Sequence, residues 1–322
     1  MNVDPIVPFE PVLSDEIPDD AGWTSQIKWD GVRVLTYFDD RKVRLFNRKR
    51  NERTLIFPEL TDIKSYTSAR SVILDGEVIA LNADGKPSFH EVMRRDGVRR
   101  LERVDIVRHT VPIYYMVFDV IFYNGDWIHH RPLKERLDLL SRIIEPNPQV
   151  QLVSGQQDGR ALFDTVKEHN MEGIVSKRLN SRYVFGGKND DWRKIKNYKD
   201  LVAVIGGVTY RSGIVNSLLL GLYDNRHRFY YIGHAGTGKL TGSDWDALTR
   251  IVEPLKINRR PFVNRPERSR HAQWIKPSLT VKVQYIEWSD GHTLRQPSIQ
   301  AFVDQDPRTC MMRTEILASD PI

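Results

Sequence analysis

The residues best placed to do chemistry lie in Ile27-Lys28-Trp29-Asp30-Gly31-Val32-Arg33. A lysine follows an alternating apolar and polar run (Trp23, Ser25, Ile27). A glycine stands two residues before an arginine, and apolar residues resume at Val34, Leu35, Tyr37 and Phe38. The pattern predicts strand, tight loop, strand, with Lys28 at the end of the first strand. Free lysine titrates near 10.4, so only ~0.1% is neutral at pH 7.4. A lysine nucleophile therefore needs neighbouring cations that disfavour its charged form. Taken alone, the loop reads equally well as a charged hairpin or as a nucleophile.

Three further groups sit on apolar strands, where an unpaired charge is costly unless it faces a cleft. Asp75 and Glu77, in Leu74-Asp75-Gly76-Glu77, are two residues apart and share one strand face. Such a pair suits a divalent cation or a ribose hydroxyl, or else a solvated edge. Lys194 and Lys196 repeat the spacing with opposite sign, and two parallel cations suit phosphate oxygens. Glu172 stands at the entrance of another apolar run, Gly173-Ile174-Val175. One potential nucleophile, several carboxylates and several cations on one domain suit nucleotidyl transfer.

The elements that must position these groups are mostly strands. After a Pro- and Asp-rich lead-in of 22 residues, a meander runs through the Lys28 hairpin and Val43 to Phe46, ending in the basic loop Arg48 to Arg53. Pro58 to Tyr66 is expected as a short helix. Strands follow at Val72 to Leu81 and Val111 to Phe122, separated by an exposed arginine-rich stretch. Leu133 to Ile144 and Ala161 to His169 have helical spacing. Beyond Tyr198, short β runs separated by turns predict a small barrel of about 120 residues, with a basic excursion (Arg259, Arg260, Arg265, Arg268, Arg270). The expected domains are 1–197 and 198–322, and the fold class is α+β.

Charge is uneven. Lys and Arg number 31 against 30 Asp and Glu up to Asn197, and 17 against 12 after it. The C-terminal part is the more basic surface, which suits a phosphate backbone. A single cysteine, Cys310, excludes an internal disulfide and a cysteine-rich zinc site. No apolar run reaches ~18 residues, and the first residues lack the charged and apolar regions of a secretory signal. The expectation is an intracellular chain with no membrane partner.

Lys28-Trp29-Asp30-Gly31-Val32-Arg33 resembles the nucleotidyl-lysine motif of ATP-dependent DNA ligases. Phe46-Asn47-Arg48, Leu74-Asp75-Gly76-Glu77, Val117-Phe118-Asp119, Glu172 to Lys177 and Trp192 to Lys196 resemble the five motifs that follow it, in family order. The variant Glu-Gly-Ile-Val-Ser-Lys is similar to the compact bacterial end-joining ligases. The resemblance implies an antiparallel-sheet, ATP-grasp-like nucleotidyltransferase domain followed by a small OB-fold. It also implies ATP, Mg²⁺ or Mn²⁺, and a nicked double-stranded DNA partner joined without sequence preference. AMP would be carried on Lys28, with Asp30 orienting the loop. Phe118 would stack on adenine with Ile174 or Val175 below it, and the Ile27 backbone would meet the base edge. Glu77 would hold ribose, Arg33 and Arg48 ribose and phosphate, and Lys194 and Lys196 phosphate. Glu172 would take the metal, helped by Asp75 and Glu77, while Arg94, Arg95 and Arg99 would contact DNA. A monomer in the cytoplasm, associated with the nucleoid, is implied; whether Ku, a polymerase or another end-joining protein recruits it stays open.

One departure stands out. The family closes its OB-fold with a basic motif, whereas Gln300 to Pro307 carries no cation, leaving Arg295 or Arg308 to serve. A second feature, Gly233 to Leu240, has the G-x4-G-K of a phosphate loop but has leucine where a magnesium-binding Ser or Thr belongs; it reads as a barrel hairpin. RNA ligases and GTP-using capping enzymes share Lys-x-Asp-Gly and remain rivals. A non-catalytic DNA-binding protein that kept the fold is the rival from another class.

Overall fold

The computed structural model describes residues 4–267, 269–289 and 291–312. The chain divides into two compact units, Met1–Asn197 and Tyr198–Ile322. The first contains β1 (Glu10–Leu13), β2 (Trp23–Ile27), β3 (Val32–Phe38), β4 (Val43–Asn47), β5 (Val72–Ala80), α1 (Phe89–Asp96), α2 (Val104–Thr110), β6 (Ile113–Tyr123), β7 (Asp126–Trp127), α3 (Leu133–Ile143), β8 (Val150–Leu152), α4 (Gly159–Glu168), β9 (Gly173–Arg178) and β10 (Lys188–Lys196).

These strands form two sheets, ordered β1-β10-β9-β2 and β4-β3-β5-β6-β7, with β8 also paired to β6. All pairs are antiparallel except β1 with β10 and β6 with β8. Period-2 alternation decides what each face buries. In the smaller sheet Ile27, Ile174 and Ile195 lie in register and pack with Phe163 and Val166 of α4. In the larger sheet Val34, Leu74, Val78 and Val117 face Val92, Val104 and Leu140 of α1, α2 and α3. The two inner faces meet through Phe9, Leu35, Ile73, Tyr183 and Trp192, with Phe118 packed against them. Helices thus cover the outer faces, and the charged residues of the motifs line the space between the sheets.

Two sequence expectations shift. Pro58 to Tyr66 forms two single 3₁₀ turns, Pro58–Leu60 and Ile63–Ser65, rather than one helix. The arginine-rich stretch after β5 folds into α1 and α2, with Ser88 capping α1 through Glu91 N–H.

The second unit contains β11 (Lys199–Arg211), β12 (Ile214–Tyr223), β13 (Phe229–Ala235), α5 (Gly242–Val252), β14 (Lys256–Ile257), β15 (Gln273–Tyr285) and β16 (Ser298–Val303). Its sheet runs β13-β12-β11-β15-β14, with β16 paired to β15. Lys239 N–H donates to the Ile299 carbonyl, and Ile299 N–H donates to the Thr237 carbonyl. These bonds tie the segment after β13 to β16 and close a barrel, as expected of an OB-fold. The G-x4-G-K stretch is this closure. The following helix starts later, at the Thr241–Asp244 capping box. Arg268 of the basic excursion lies outside the described residues. No helix among the described residues is long and apolar enough to cross a membrane.

Candidate active site

Lys28 directly follows β2, and its N–H donates to the Gly173 carbonyl (2.9 Å), so it continues the strand. Alternation puts Lys28 on the face shared by Gln26, Val175, Lys194 and Lys196, since Val175 pairs with Gln26 and Lys194. Two glycines permit this. A Cβ on Gly31 would lie 2.2 Å from the Val78 carbonyl oxygen, so the loop after Lys28 can lie directly on β5. Gly173 has φ +150°, and a Cβ there would lie 2.1 Å from the Ile195 carbonyl oxygen. Only glycine lets β9 start there with Glu172 aimed at Lys28.

Glu172 Oε2 accepts from Lys28 Nζ at 2.5 Å, and Oε1 lies 3.8 Å from Lys196 Nζ. The Glu172 side chain is 4% exposed and that of Lys28 is 23% exposed, so the lysine keeps an open side. Burial lowers the Lys194 pKa, with Lys28 and Lys188 adding to the shift. Two lysines therefore flank one buried carboxylate, and Lys194 shares the strand face of Lys196.

The larger sheet supplies the opposite wall. Arg33 on β3 is in register with Glu77 on β5. It forks onto Asp75, Nε to Oδ1 at 2.8 Å and Nη2 to Oδ2 at 2.5 Å, and donates to the Phe9 carbonyl at 2.7 Å. Tyr183 OH donates to Asp75 Oδ2 at 2.6 Å. Asp75 is fully buried. Glu77 is half-buried; burial pushes its carboxyl up to about 8, Lys28 and Arg33 pull it back, and Glu172 and Asp75 reinforce the rise. Phe118 lies at a bulge where Asp75 pairs with Asp119 and Gly76 with Val117. Its ring lies 5.2 Å from the Arg33 guanidinium and 4.3 Å from Lys177 Nζ, and meets the Trp192 ring edge-on at 6.4 Å.

Several sequence-derived assignments need correction. Asp75 is no metal helper: both carboxylate oxygens are taken by Arg33 and Tyr183. Ile174 does not lie under a base, because its side chain is buried against Phe163 and Val166 on the α4 side; Val175 has the inner face. Arg95 is not a DNA contact. It is 0% exposed, forks onto Glu59 (2.7 and 3.0 Å) and donates to the Ile56 and Val111 carbonyls. Helix periodicity turns it inward while Arg94, paired with Glu91, stays outside. Arg99 is exposed beyond α1.

β2 is the edge strand of its sheet, and Ser25 exchanges backbone bonds with Gln156 on the outer side. By alternation the Ile27 backbone groups share that outward edge. Asp30 is half-buried in the loop. Arg48 is 59% exposed and lies 3.3 Å from Glu10. In the second unit Arg295 is bound to Glu287 at 2.6 Å, whereas Arg308 is exposed.

Tyr183, Trp192 and Lys177 join the site beyond the residues expected from the sequence, and two of them are within reach of its spacing. Lys177 lies two residues beyond Val175 and Trp192 two before Lys194, so period 2 puts both on the inner face. Lys177 is buried, with Nζ 4.1 Å from the Trp192 ring centroid and no hydrogen-bond acceptor. Burial pushes its pKa down to about 7; Asp119 and Asp75 oppose the shift, while Arg33 and Arg136 add to it.

Among the described residues no three His, Cys, Asp or Glu side chains form a metal cage. A magnesium-sized cation is commonly held by one or two carboxylates plus substrate phosphates. Glu172 and Glu77 fit that donor set, their mutual repulsion being one cause of the raised Glu77 value.

Residues 13–196 match the family described as ATP dependent DNA ligase domain, and residues 211–304 match the ATP dependent DNA ligase C terminal region. The chain is 30% identical over 284 residues to the multifunctional non-homologous end joining DNA repair protein LigD of Mycobacterium tuberculosis, covering 86% of this chain and 35% of that protein. It is 35% identical over 192 residues to the SPbeta prophage-derived DNA ligase-like protein LigB of Bacillus subtilis, covering 59% and 67% of the two chains. The crystal structure of the ligase domain from M. tuberculosis LigD superposes with TM-score 0.54 at 26% identity, covering 97% of this chain and 100% of that one. The chain spans about a third of the length of the LigD relatives it matches.

Proposed function

The chain belongs to the ATP-dependent DNA ligase family, and from that premise we propose that it seals nicks in double-stranded DNA through AMP carried on Lys28. Lys28 Nζ attacks the α-phosphorus of ATP; a P–N bond forms and the bond to pyrophosphate breaks. An oxygen of the nick's 5′-phosphate then takes the AMP, releasing Lys28. The 3′-hydroxyl attacks that 5′-phosphorus, joining the strand and expelling AMP.

The observation that carries this reading is the pairing of Lys28 and Lys196 with the buried Glu172, with Lys194 on the same strand face as Lys196. The two strand lysines offset charge gathering on the α-phosphate, while Lys28 keeps one open side for attack. Phe118 and Val175 take the base between the sheets, and the Ile27 backbone meets its edge. Glu77 and Arg33 hold the ribose, and Asp30 steadies the loop. Arg48 reaches the ribose or phosphates from its exposed position. A divalent cation, Mg²⁺ or Mn²⁺, would be held by Glu172 and Glu77 and would supply Lewis-acid polarisation of the phosphate. Arg308 takes the place of the missing C-terminal cation, and Arg94 and Arg99 contact DNA. Both units act as one monomer in the cytoplasm, at the nucleoid. End joining is the favoured pathway, since the LigD relatives are named for it; Ku or another end-joining protein would then recruit the chain.

Incubation with ATP and magnesium followed by peptide mass spectrometry tests the class. One AMP on Lys28, lost in Lys28→Ala together with sealing of a nicked duplex, is the expected result. Labelling by GTP instead, or sealing by Lys28→Ala, would overturn it. Parallel nicks in DNA and RNA separate DNA ligation from RNA ligation.

A further inference from the structure

Lys177 is a buried cation that the reaction above does not use. It projects from β9 on the same face as Val175 and pairs in register with Trp192 of β10 and Thr24 of β2. Its Nζ lies 4.3 Å from the Phe118 ring centroid and 4.1 Å from that of Trp192, and it reaches no hydrogen-bond acceptor. An ammonium in such a place gives up its hydration for two aromatic faces alone, an expensive arrangement for a side chain with only a packing role. Asp119 on β6, Asp75 on β5, Arg33 on β3 and Arg136 on α3 act on it through space. Both carboxylates already have arginine partners, Asp119 with Arg136 and Asp75 with Arg33. The two rings are its nearest compensation. Trp192 meets Phe118 at 76°, so the ammonium and the indole together restrict how Phe118 can turn.

We propose that Lys177 is a positioning residue for the nucleotide, fixing the Phe118 ring as the platform on which the purine stacks. This rests on the reading that Phe118 takes the base. The cation does two things to that ring. It selects one orientation, so less freedom is lost when the base arrives. It also draws π-density toward itself, which leaves the ring a better partner for an electron-rich purine.

The test uses the full chain and α,β-methylene-ATP, which binds without reacting. Affinity is measured from pH 6 to 8.5 for wild type, Lys177→Met, Lys177→Arg and Phe118→Ala, together with KM and kcat for Lys28–AMP formation from ATP. Lys177→Met should weaken analogue binding about fivefold at pH 6 and raise KM with little change in kcat. Lys177→Arg should restore affinity and hold it across the range. Wild type should match the arginine variant at pH 6 and approach the methionine variant as Lys177 loses its proton above about 7. If Lys177→Met binds as wild type does at every pH while Phe118→Ala binds weakly, the platform stands and the role of Lys177 falls. If Phe118→Ala also binds normally, the reading of Phe118 falls first. Thermal unfolding checks that each variant is folded. Should the methionine variant not fold, the wild-type and arginine pH profiles decide alone: parallel profiles would overturn the proposal.

Discussion

Glu172 Oε2 lies 2.5 Å from Lys28 Nζ, joining two residues 144 positions apart in the sequence. The pair holds the nucleophile at the head of β9, with Lys196 at 3.8 Å on the other oxygen. In the proposed reaction Lys28 would leave this carboxylate to reach phosphorus, so Glu172 would both aim the lysine and restrain it. Glu172→Gln keeps the shape but removes the charge. Single-turnover formation of Lys28–AMP should fall by about 100-fold or more, the scale of losing one preorganised electrostatic group at a reacting centre. A variant as fast as wild type would reduce Glu172 to a structural role.

Asp75 is expected to act through Arg33. Asp75→Asn leaves a buried guanidinium without its counter-charge, which should destabilise the first unit by about 3–5 kcal/mol. Urea denaturation measures this. Asp75→Asn should also weaken ATP binding, because Arg33 loses its anchor. Unchanged stability with slower turnover would return Asp75 to a direct chemical role.

Glu77 makes stability depend on pH. Its carboxyl is pushed up to about 8 from 4.5 in the folded chain. Between those values the folded state binds more proton than the unfolded state, so stability falls as pH rises. The contribution is complete below about 4.5 and gone above about 8. In metal-free buffer, the stability of wild type relative to Glu77→Gln should decline steadily from pH 5 to 8. A difference independent of pH would refute the shift.

Arg95 and Arg99 should separate cleanly. Arg95→Met leaves Glu59 unpaired beneath α1, so unfolding should become easier by about 3–5 kcal/mol. The slope of log DNA affinity against log salt should not change. Arg99→Ala should leave stability within about 0.5 kcal/mol and make that slope shallower by about one phosphate's worth. Reversed outcomes would exchange the two roles.

Much of the site was legible because period 2 is a strict rule. Lys194 and Lys196 share a face, Ile195 turns away, and Asp75 and Glu77 face Arg33, all as spacing requires. The failures came from information that spacing lacks. Nothing local separates Asp75, whose two oxygens both accept from Arg33 or Tyr183, from Glu77, which has capacity left. Ile174 and Val175 are both apolar, and only the position of α4 decides which of them faces the cleft. Arg95 differs from Arg94 by one step around a helix whose periodicity the run of arginines hides. Tyr183 comes from an irregular loop with no periodicity to reveal it.

The smaller sheet draws β1 and β2 from residues 10–27 and β9 and β10 from residues 173–196. Such distant pairings form late, since the intervening loop must be closed before any contact is made. A chain still being synthesised can fold much of the larger sheet from residues 32–152, but it cannot bring Glu172 and Lys196 to Lys28. On the proposed reaction, chemical competence would therefore be withheld from incomplete chains. Lys28 comes under the control of Glu172 and Lys196 only when nearly the whole first unit has emerged from the ribosome.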